Sequence, residues 1–340
     1  MEHTFPFVEL TGTEYETGVQ IGKLFGSALC EETREAERYL KQPGIRKDFE
    51  TVRRRLETDY PEYLQHAYGR ADGAGAGREA YLLFLCYELW EGRDGERCSD
   101  IIVSGDGRVV MGHNEDGGYS AGNSALLKCA GPEGWHFDFA TPDALAGGSF
   151  GFTSKGLIFT MNYMYLEQFR RDRTPVWFFL RSLVDCGSIG EIQDRLSRMD
   201  IASGFHWNLF IDGKAYEVEA KYDRAELREV EGIFVHTNHY LNPSMDEGYS
   251  DPESNSLFRY AKIQELIRKK DHILRTAQDV EEVLKYQSTT YYNSIFETPE
   301  MGRGITACTV LYDSAEDSLR YTNHMLGRSH TFRLSEMSSL

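Results

Sequence analysis

Cys98 and Ser120 are candidate nucleophiles, each for its position or its motif in the sequence. Cys98 opens the β-branched segment CSDIIV, and Asp116 follows eighteen positions later. Ser120 lies in GYSAG, which matches the G-x-S-x-G pattern of serine hydrolases. The secondary structure predicted on either side of each residue distinguishes between these two candidates.

A serine nucleophile of this pattern needs a strand that runs straight into the motif and a helix that leaves it. The preceding HNEDG is polar and typical of a turn, and the following NSALLKCAG is typical of a strand. A loop position is therefore favoured for Ser120. A serine α/β-hydrolase remains the alternative, and it predicts a doubly wound parallel sheet.

Cys98 follows EGRDGER, a charged, glycine-containing stretch that indicates an exposed loop. Cleavage between Arg97 and Cys98 would place a free α-amine beside the thiol. The amine titrates near 7.7–8.0 and the thiol near 8.5, so one residue could supply both base and nucleophile. The thiol could make the cut itself, by attacking the carbonyl of residue 97 and passing through a thioester that water hydrolyses.

Six segments in this order resemble the acyl-CoA:6-aminopenicillanate acyltransferase-like family of N-terminal-nucleophile (Ntn) hydrolases. That group includes β-alanyl-amine hydrolases, with choloylglycine hydrolases and penicillin V acylases as distant relatives. The segments are LTGTEYETGVQIG, YPEYLQHAYGRADGAG, CSDIIVSGDGRVVMGHNED, GFTSKGLIFTMNYMY, VHTNHYL and SLFRYAKIQELI.

The resemblance implies a role for each matching residue. Cys98 would be the nucleophile and the new N-terminus, released by cleavage after Arg97. Asp116 would hydrogen-bond the α-amine or the thiol. Asn238 would donate its side-chain amide to the oxyanion hole, and Asn162 would be a second polar contact near the nucleophile.

The sequence departs from the family at two positions. Arg97 stands where the family commonly has glycine or another small residue, so an unprocessed Ntn-fold protein that only binds a ligand is a further alternative. His113 stands where the distant relatives have an arginine, and it could make a pH-dependent contact or reflect a different substrate polarity. Arg259 and Arg303 are the candidates for a substrate-binding arginine.

No metal site is expected. His236 and His239 form a His-x-x-His pair, but residues three apart on a strand point to opposite faces, and the sequence offers no evident third ligand. No cofactor is expected either, although acyl-CoA is open as an acyl donor or acceptor.

The order of predicted elements favours an α+β domain. Hairpin signals recur around Asp106-Gly107, Lys155-Gly156 and Asp212-Gly213, and helical segments lie between them. Layers of antiparallel sheet with helices fit this order. The resemblance specifies a four-layer αββα sandwich, with residues 1–97 as a helical N-terminal segment (the α chain) and 98–340 as the core (the β chain).

The amino-acid composition limits the kinds of molecule that the protein is expected to bind. The 340 residues carry a net charge of −17 at pH 7, which argues against nucleic-acid binding. The N-terminus has neither the basic nor the apolar region of a signal peptide, and no apolar run approaches the ~20 residues of a membrane helix. Six scattered cysteines without a C-x-x-C pair indicate a reducing setting, so a cytoplasmic protein without membrane partners is expected.

The sequence therefore predicts a self-processing cysteine amidohydrolase or acyltransferase. Its substrates would be small N-acyl amines or amino acids of specialised metabolism, handled through a Cys98 thioester. Water, an amine or a thiol could accept the acyl group, and the sequence does not choose among them.

Overall fold

The computed structural model describes residues 7–90, 97–118, 123–245, 255–271, 273–302 and 304–337. Ser120 and Arg303 lie outside these ranges. The strands are β1 Val8–Thr11, β2 Arg97–Gly105, β3 Arg108–Gly117, β4 Ala125–Gly131, β5 Gly134–Ala140, β6 Phe150–Thr153, β7 Ile158–Tyr163, β8 Gly204–Ile211, β9 Lys214–Lys221, β10 Arg224–Glu229, β11 Gly232–His236, β12 Ile305–Asp313, β13 Ser318–Asn323 and β14 Arg328–Arg333. The helices are α1 Glu14–Tyr39, α2 Pro43–Asp59, α3 Pro61–Ala74, α4 Arg78–Leu85, α5 Val176–Val184, α6 Ile189–Ser197, α7 Ser256–Lys269, α8 Ala277–Leu284 and α9 Leu334–Met337.

The strands form two sheets. The eight-stranded sheet has the order β1-β4-β5-β6-β7-β8-β9-β10, and the six-stranded sheet has the order β11-β2-β3-β12-β13-β14. Apart from the parallel pair β1–β4, the strand pairs within these sheets are antiparallel. The doubly wound parallel sheet of the serine-hydrolase alternative is therefore wrong.

Three apolar clusters define four layers. Side chains such as Met111 and Phe137 fill the space between the two sheets. Helices α1 to α6 cover the outer face of the eight-stranded sheet, and all nine residues of α5 are buried there. Helices α7 and α8 cover the outer face of the six-stranded sheet. The predicted αββα sandwich is confirmed.

Close packing of α1 on α3 depends on four glycines. A Cβ atom on Gly18 or Gly22 would lie 2.3 or 2.1 Å from a backbone carbonyl oxygen of α3. A Cβ atom on Gly69 or Gly73 would meet α1 backbone at 2.3 or 2.1 Å. The glycines therefore let the two helix backbones touch.

The turn between β2 and β3 fixes the register of the candidate nucleophile. Asp106 and Gly107 both have positive φ, 51° and 73°, as a type I′ hairpin turn requires. From this turn the pairing runs without a bulge until Cys98 lies opposite Glu115. Side chains of directly paired residues share a face, so Glu115 and Cys98 point the same way.

Across the described residues, no helix combines the length and the apolar character that crossing a membrane would require.

Candidate active site

Cys98 is buried at the start of β2, with a side chain that faces the other sheet. Its backbone N–H donates to Asn238 Oδ1 at 3.1 Å. Its carbonyl oxygen accepts a hydrogen bond from Arg259 Nη1. Its thiol donates to Glu115 Oε1 at 3.7 Å. The main chain and the thiol of Cys98 are thus held by three side chains, from β3, from α7 and from the segment that follows β11.

Arg259 of α7 is the residue that ties these groups together. It is fully buried, and its Nη2 donates to Asn238 Oδ1 at 2.6 Å. Nη1 also donates to Ser99 Oγ at 2.8 Å, and Nε donates to Asn255 Oδ1 at 2.6 Å. The predicted arginine therefore lies at the site, but its hydrogen bonds in this structure go to the protein around Cys98.

The two predicted asparagines link the two sheets beside Cys98. Asn238 follows β11, and its Nδ2 donates to the Tyr163 carbonyl oxygen of β7 at 2.8 Å. Asn162 of β7 donates to the Thr237 carbonyl oxygen at 2.9 Å. Asn238 is in direct contact with Cys98, whereas Asn162 acts one residue further away, on the segment that carries Asn238.

A buried chain of charges leads away from the thiol. The His113 ring lies between Asp100 Oδ1 at 3.0 Å and Glu115 Oε2 at 3.2 Å. Burial alone would lower the pKa of His113, but the two carboxylates outweigh it and raise that pKa to about 10. Thr160 donates to Asp100 at 2.6 Å, and Ser149 donates to Glu115. His113 is therefore an imidazolium at neutral pH.

The donor atoms of Cys98, His113 and Glu115 lie within 4.8 Å of one another, a spacing that a metal ion could use. A ligating histidine must be neutral. Both ring nitrogens of His113 face carboxylates, so the ring keeps both protons. The trio fits a charged hydrogen-bond network better than a metal centre.

The reason given from sequence against a His236–His239 metal site is wrong. β11 ends at His236, so His239 is not on the strand, and the two rings stack with centroids 6.5 Å apart. Each ring has another partner. His236 Nε2 lies 3.0 Å from Glu219, and His239 Nδ1 lies 2.8 Å from Ser256 Oγ.

Asp116 lies on the other face of the hairpin from the thiol, cross-strand from Arg97. Its Oδ1 accepts a hydrogen bond from Thr306 Oγ1 at 2.6 Å. Burial and the neighbouring Glu297 raise its pKa well above the usual range of aspartate. In the uncleaved chain the hydrogen bonds expected of Asp116 are made by other residues, by Asn238 at the Cys98 nitrogen and by Glu115 at the thiol.

Glu115 is the site residue that the sequence analysis missed. The sequence contained the information needed to find it. A two-residue turn at Asp106-Gly107 fixes the pairing of β2 with β3, because the two residue numbers of every cross-strand pair then add up to the same total. Extending that register places Glu115, and not Asp116, beside the thiol of Cys98.

A cavity of about 400 Å³ lies elsewhere, where the start of α1 meets the β4–β5 and β6–β7 turns and the end of α5. None of the predicted site residues lines it. The site at Cys98 is therefore identified by its hydrogen bonds rather than by this cavity.

Comparison with known proteins identifies the family to which the chain belongs. The family model of acyl-coenzyme A:6-aminopenicillanic acid acyl-transferase matches residues 103–325, more than half of the chain. The chain belongs to this family, which confirms the resemblance drawn from its sequence. The matched region begins after Cys98 and includes Asp116, Asn162 and Asn238.

Individual relatives are more distant. The chain is 26% identical over 216 residues to the β-alanyl-dopamine/carcinine hydrolase of Drosophila melanogaster. The aligned region covers 55% of each protein. The chain thus spans about half the length of this curated relative. A variant of the conjugated bile acid hydrolase from Clostridium perfringens is 13% identical with a TM-score of 0.47, covering 70% of this chain and 93% of that one. The penicillin V acylase from Agrobacterium tumefaciens is 9% identical with a TM-score of 0.45, covering 70% and 86%.

Proposed function

We propose that this protein is a self-processing cysteine amidohydrolase or acyltransferase with Cys98 as its nucleophile. The observation that supports it is the set of hydrogen bonds at Cys98. Asn238 holds its nitrogen, Arg259 its carbonyl and Glu115 its thiol. Any buried residue needs partners for its backbone N–H and C=O, but a structural cysteine ordinarily packs its thiol as a small apolar group and does not direct it at a carboxylate as Cys98 does.

Self-cleavage would use the same atoms. The Cys98 sulfur attacks the Arg97 carbonyl carbon, a C–S bond forms, the C–N bond breaks, and the departing nitrogen takes a proton to become the α-amine. Water then attacks the thioester, a C–O bond forms, the C–S bond breaks and the thiol recovers its proton. Glu115 is placed to accept the thiol proton in the first step, before any α-amine exists.

After cleavage the α-amine becomes the base within Cys98 itself. Asn238 Oδ1 already accepts from this nitrogen and would hold the amine beside the thiol. One N–H of the Asn238 amide goes to Tyr163. The other is the donor we assign to the oxyanion, an interaction whose loss typically costs about 10²–10³ in kcat.

The substrates we propose are small N-acyl amines. The Drosophila relative is named for hydrolysis of β-alanyl-dopamine and carcinine, and the family is named for acyl transfer from coenzyme A to 6-aminopenicillanic acid. In the mechanism that we propose, hydrolysis and acyl transfer would share one Cys98 thioester and would differ in the acceptor of the acyl group. Acyl-coenzyme A is accordingly the donor to test first, with coenzyme A as the corresponding thiol acceptor, and no resident cofactor is proposed.

The intact mass of the purified protein tests this proposal. The wild-type chain should yield two polypeptides that meet between Arg97 and Cys98, and Cys98→Ala should stay whole. Cys30→Ala is the matched control, because Cys30 lies on α1 with its thiol bonded to Ala74 of α3, and it should be cleaved like the wild type.

Two results would contradict the proposal. Cleavage of Cys98→Ala would remove Cys98 from the chemistry. A single full-length wild-type chain that also fails to hydrolyse or transfer any N-acyl amine would favour the unprocessed, ligand-binding alternative.

A further inference from the structure

The Arg97 side chain occupies a defined place on the helix-facing side of the β2–β3 hairpin. It is half-buried, cross-strand from Asp116, and its guanidinium carbon lies 5.3 Å from the centre of the Tyr291 ring. Glu297 and Asp116 are the carboxylates that act on it electrostatically. The residue directly before the scissile bond is therefore seated among one aromatic ring and two acids.

These two acids lack enough partners. Oδ2 of Asp116 and both carboxylate oxygens of Glu297 have no hydrogen-bond partner among the described residues, although both side chains are at most 1% exposed. Thr306 bridges them, since its hydroxyl donates to Asp116 and accepts from the Glu297 N–H. Buried carboxylate oxygens without partners are costly, and the cost is relieved either by a proton or by a bound partner, so a cation that enters here would supply what the two acids lack.

Among the described residues, the nearby cations do not meet that need. Arg259 directs its hydrogen bonds to Asn255, Cys98, Ser99 and Asn238. Arg97 stacks on Tyr291, and its Nε has no hydrogen-bond partner among the described residues. Burial and the Glu297 carboxylate raise the pKa of Asp116, the response expected of two adjacent acids without a directly bonded cation.

We propose that Glu297, Tyr291 and the outer oxygen of Asp116 form the acyl-side subsite of Cys98, and that it selects acyl groups with a cationic amino or guanidino end. The inference rests on the proposed function. In self-cleavage, Arg97 would supply the first acyl group that is transferred to the Cys98 sulfur. The thioester made from Arg97 and the thioester made from a substrate share the same sulfur and carbonyl carbon, so both acyl chains leave that carbon in the same direction.

The cationic end takes no part in bond making. During turnover the C–S bond replaces the substrate C–N bond and the amine leaves with a proton, and water later replaces sulfur. The ammonium or guanidinium would only bind, with Glu297 as its counter-ion and the face of Tyr291 as its cover, an arrangement that attracts cations. This gives Arg97 a reason to stand where small residues are usual.

Matched chromogenic substrates test the subsite. The purified full chain is assayed with 4-aminobutanoyl-p-nitroanilide and with the pentanoyl anilide, in which a methyl group replaces the ammonium. The wild type should prefer the cationic substrate in kcat/KM by roughly tenfold or more, and Glu297→Gln should remove most of that preference. Glu297→Asp, which keeps the charge, should retain part of it. Glu300→Gln is the control, since Glu300 is an exposed acid of the same segment.

Each outcome decides one way. Equal or better turnover of the pentanoyl anilide by the wild type overturns the subsite and leaves the proposed function standing. A preference that survives in Glu297→Gln, with an unchanged thermal midpoint, also overturns it. If Glu297→Gln does not fold, Glu297→Asp and the self-cleavage rates of Arg97→Lys and Arg97→Met decide, and equal rates for these two contradict the subsite. Absence of both cleavage and turnover in the wild type removes the proposed function and this inference with it.

Discussion

Cys98 has charged groups on both sides of its strand, and the two sides differ in character. On the thiol side, Asp100 and Glu115 enclose the imidazolium of His113, so most of the charge is balanced by direct contact. On the helix side, the Thr306 hydroxyl links Asp116 to the Glu297 N–H, and no cation among the described residues bonds directly to either carboxylate. The first arrangement is suited to hold the Cys98 thiol in place, and the second is where we propose that a ligand binds.

Stability at the residue scale should depend on pH through His113. Its folded pKa of about 10 lies above the ordinary value of 6.5, so its stabilising effect is complete below pH 6.5 and is lost as pH rises through 10. In the uncleavable Cys98→Ala background, His113→Gln should lower the free energy of unfolding at pH 7. That loss should shrink by at least about 1.4 kcal/mol, the equivalent of one pKa unit, between pH 7 and 10.

Urea unfolding at several pH values measures this difference. The same substitution at His330, on the edge strand β14, provides the control, because the groups shared by both proteins cancel in each comparison. A His113→Gln loss that stays constant from pH 7 to 10 would mean that the ring is not held as an imidazolium.

How far the sequence predicts this site depends on what fixes each residue. Cys98, Asn238 and Arg259 come from the chain's own chemistry and its resemblance to a family, and the structure brings these three into contact. Glu297 could not be predicted, because it lies in an irregular segment whose position depends on a bond to Thr306 of β12. Segments without a period carry no signal for which side chain reaches a distant strand.

At the scale of elements, the crossing of α1 and α3 leaves no room for a methyl group at any of its four glycines. A Cβ on Gly22 would lie 2.1 Å from the carbonyl oxygen of Arg70. Since that neighbour is backbone, the helices must move apart. Gly22→Ala should therefore lower stability by about 1–3 kcal/mol, even though alanine favours a helix over glycine by about 1 kcal/mol.

Gly44→Ala separates the two effects. Gly44 lies in α2, and a Cβ there would meet no atom within 4 Å, so only helix propensity changes. Thermal unfolding should show a lower midpoint for Gly22→Ala and an equal or higher one for Gly44→Ala. Equal midpoints in both variants would mean that the crossing can relax around a methyl group.

The glycines of α1 also show where the prediction of a helix from sequence succeeds and where it fails. The three glycines of α1 weaken a helix prediction from propensity alone, yet Gly18 and Gly22 are required by packing. The third, Gly26, has a φ of +40° and interrupts the helix, as propensity suggests. Contact with α3 overrides propensity at two positions, and only the tertiary structure contains that contact.

For the molecule as a whole, the boundary between the two predicted chains does not divide the fold. Strand β1 pairs with β4, and α1 to α4 pack on the outer face of the eight-stranded sheet. The described residues 7–90 are thus part of the core although they precede Cys98. Cleavage after Arg97 would cut one peptide bond and leave this packing in place.

Residues 98–340 expressed alone should therefore fail to fold as a native monomer. Removal of α1 to α4 would expose sheet residues such as Leu127 and Cys129, which are at most 4% exposed, and a contiguous apolar face of that kind promotes aggregation. Co-expression with residues 1–97 should restore one particle containing both chains. Size-exclusion chromatography and thermal unfolding, with full-length Cys98→Ala as reference, measure this. A soluble 98–340 monomer with the reference midpoint would mean that the N-terminal helices are dispensable, and that the nucleophile's sheet is stable without the segment that precedes it.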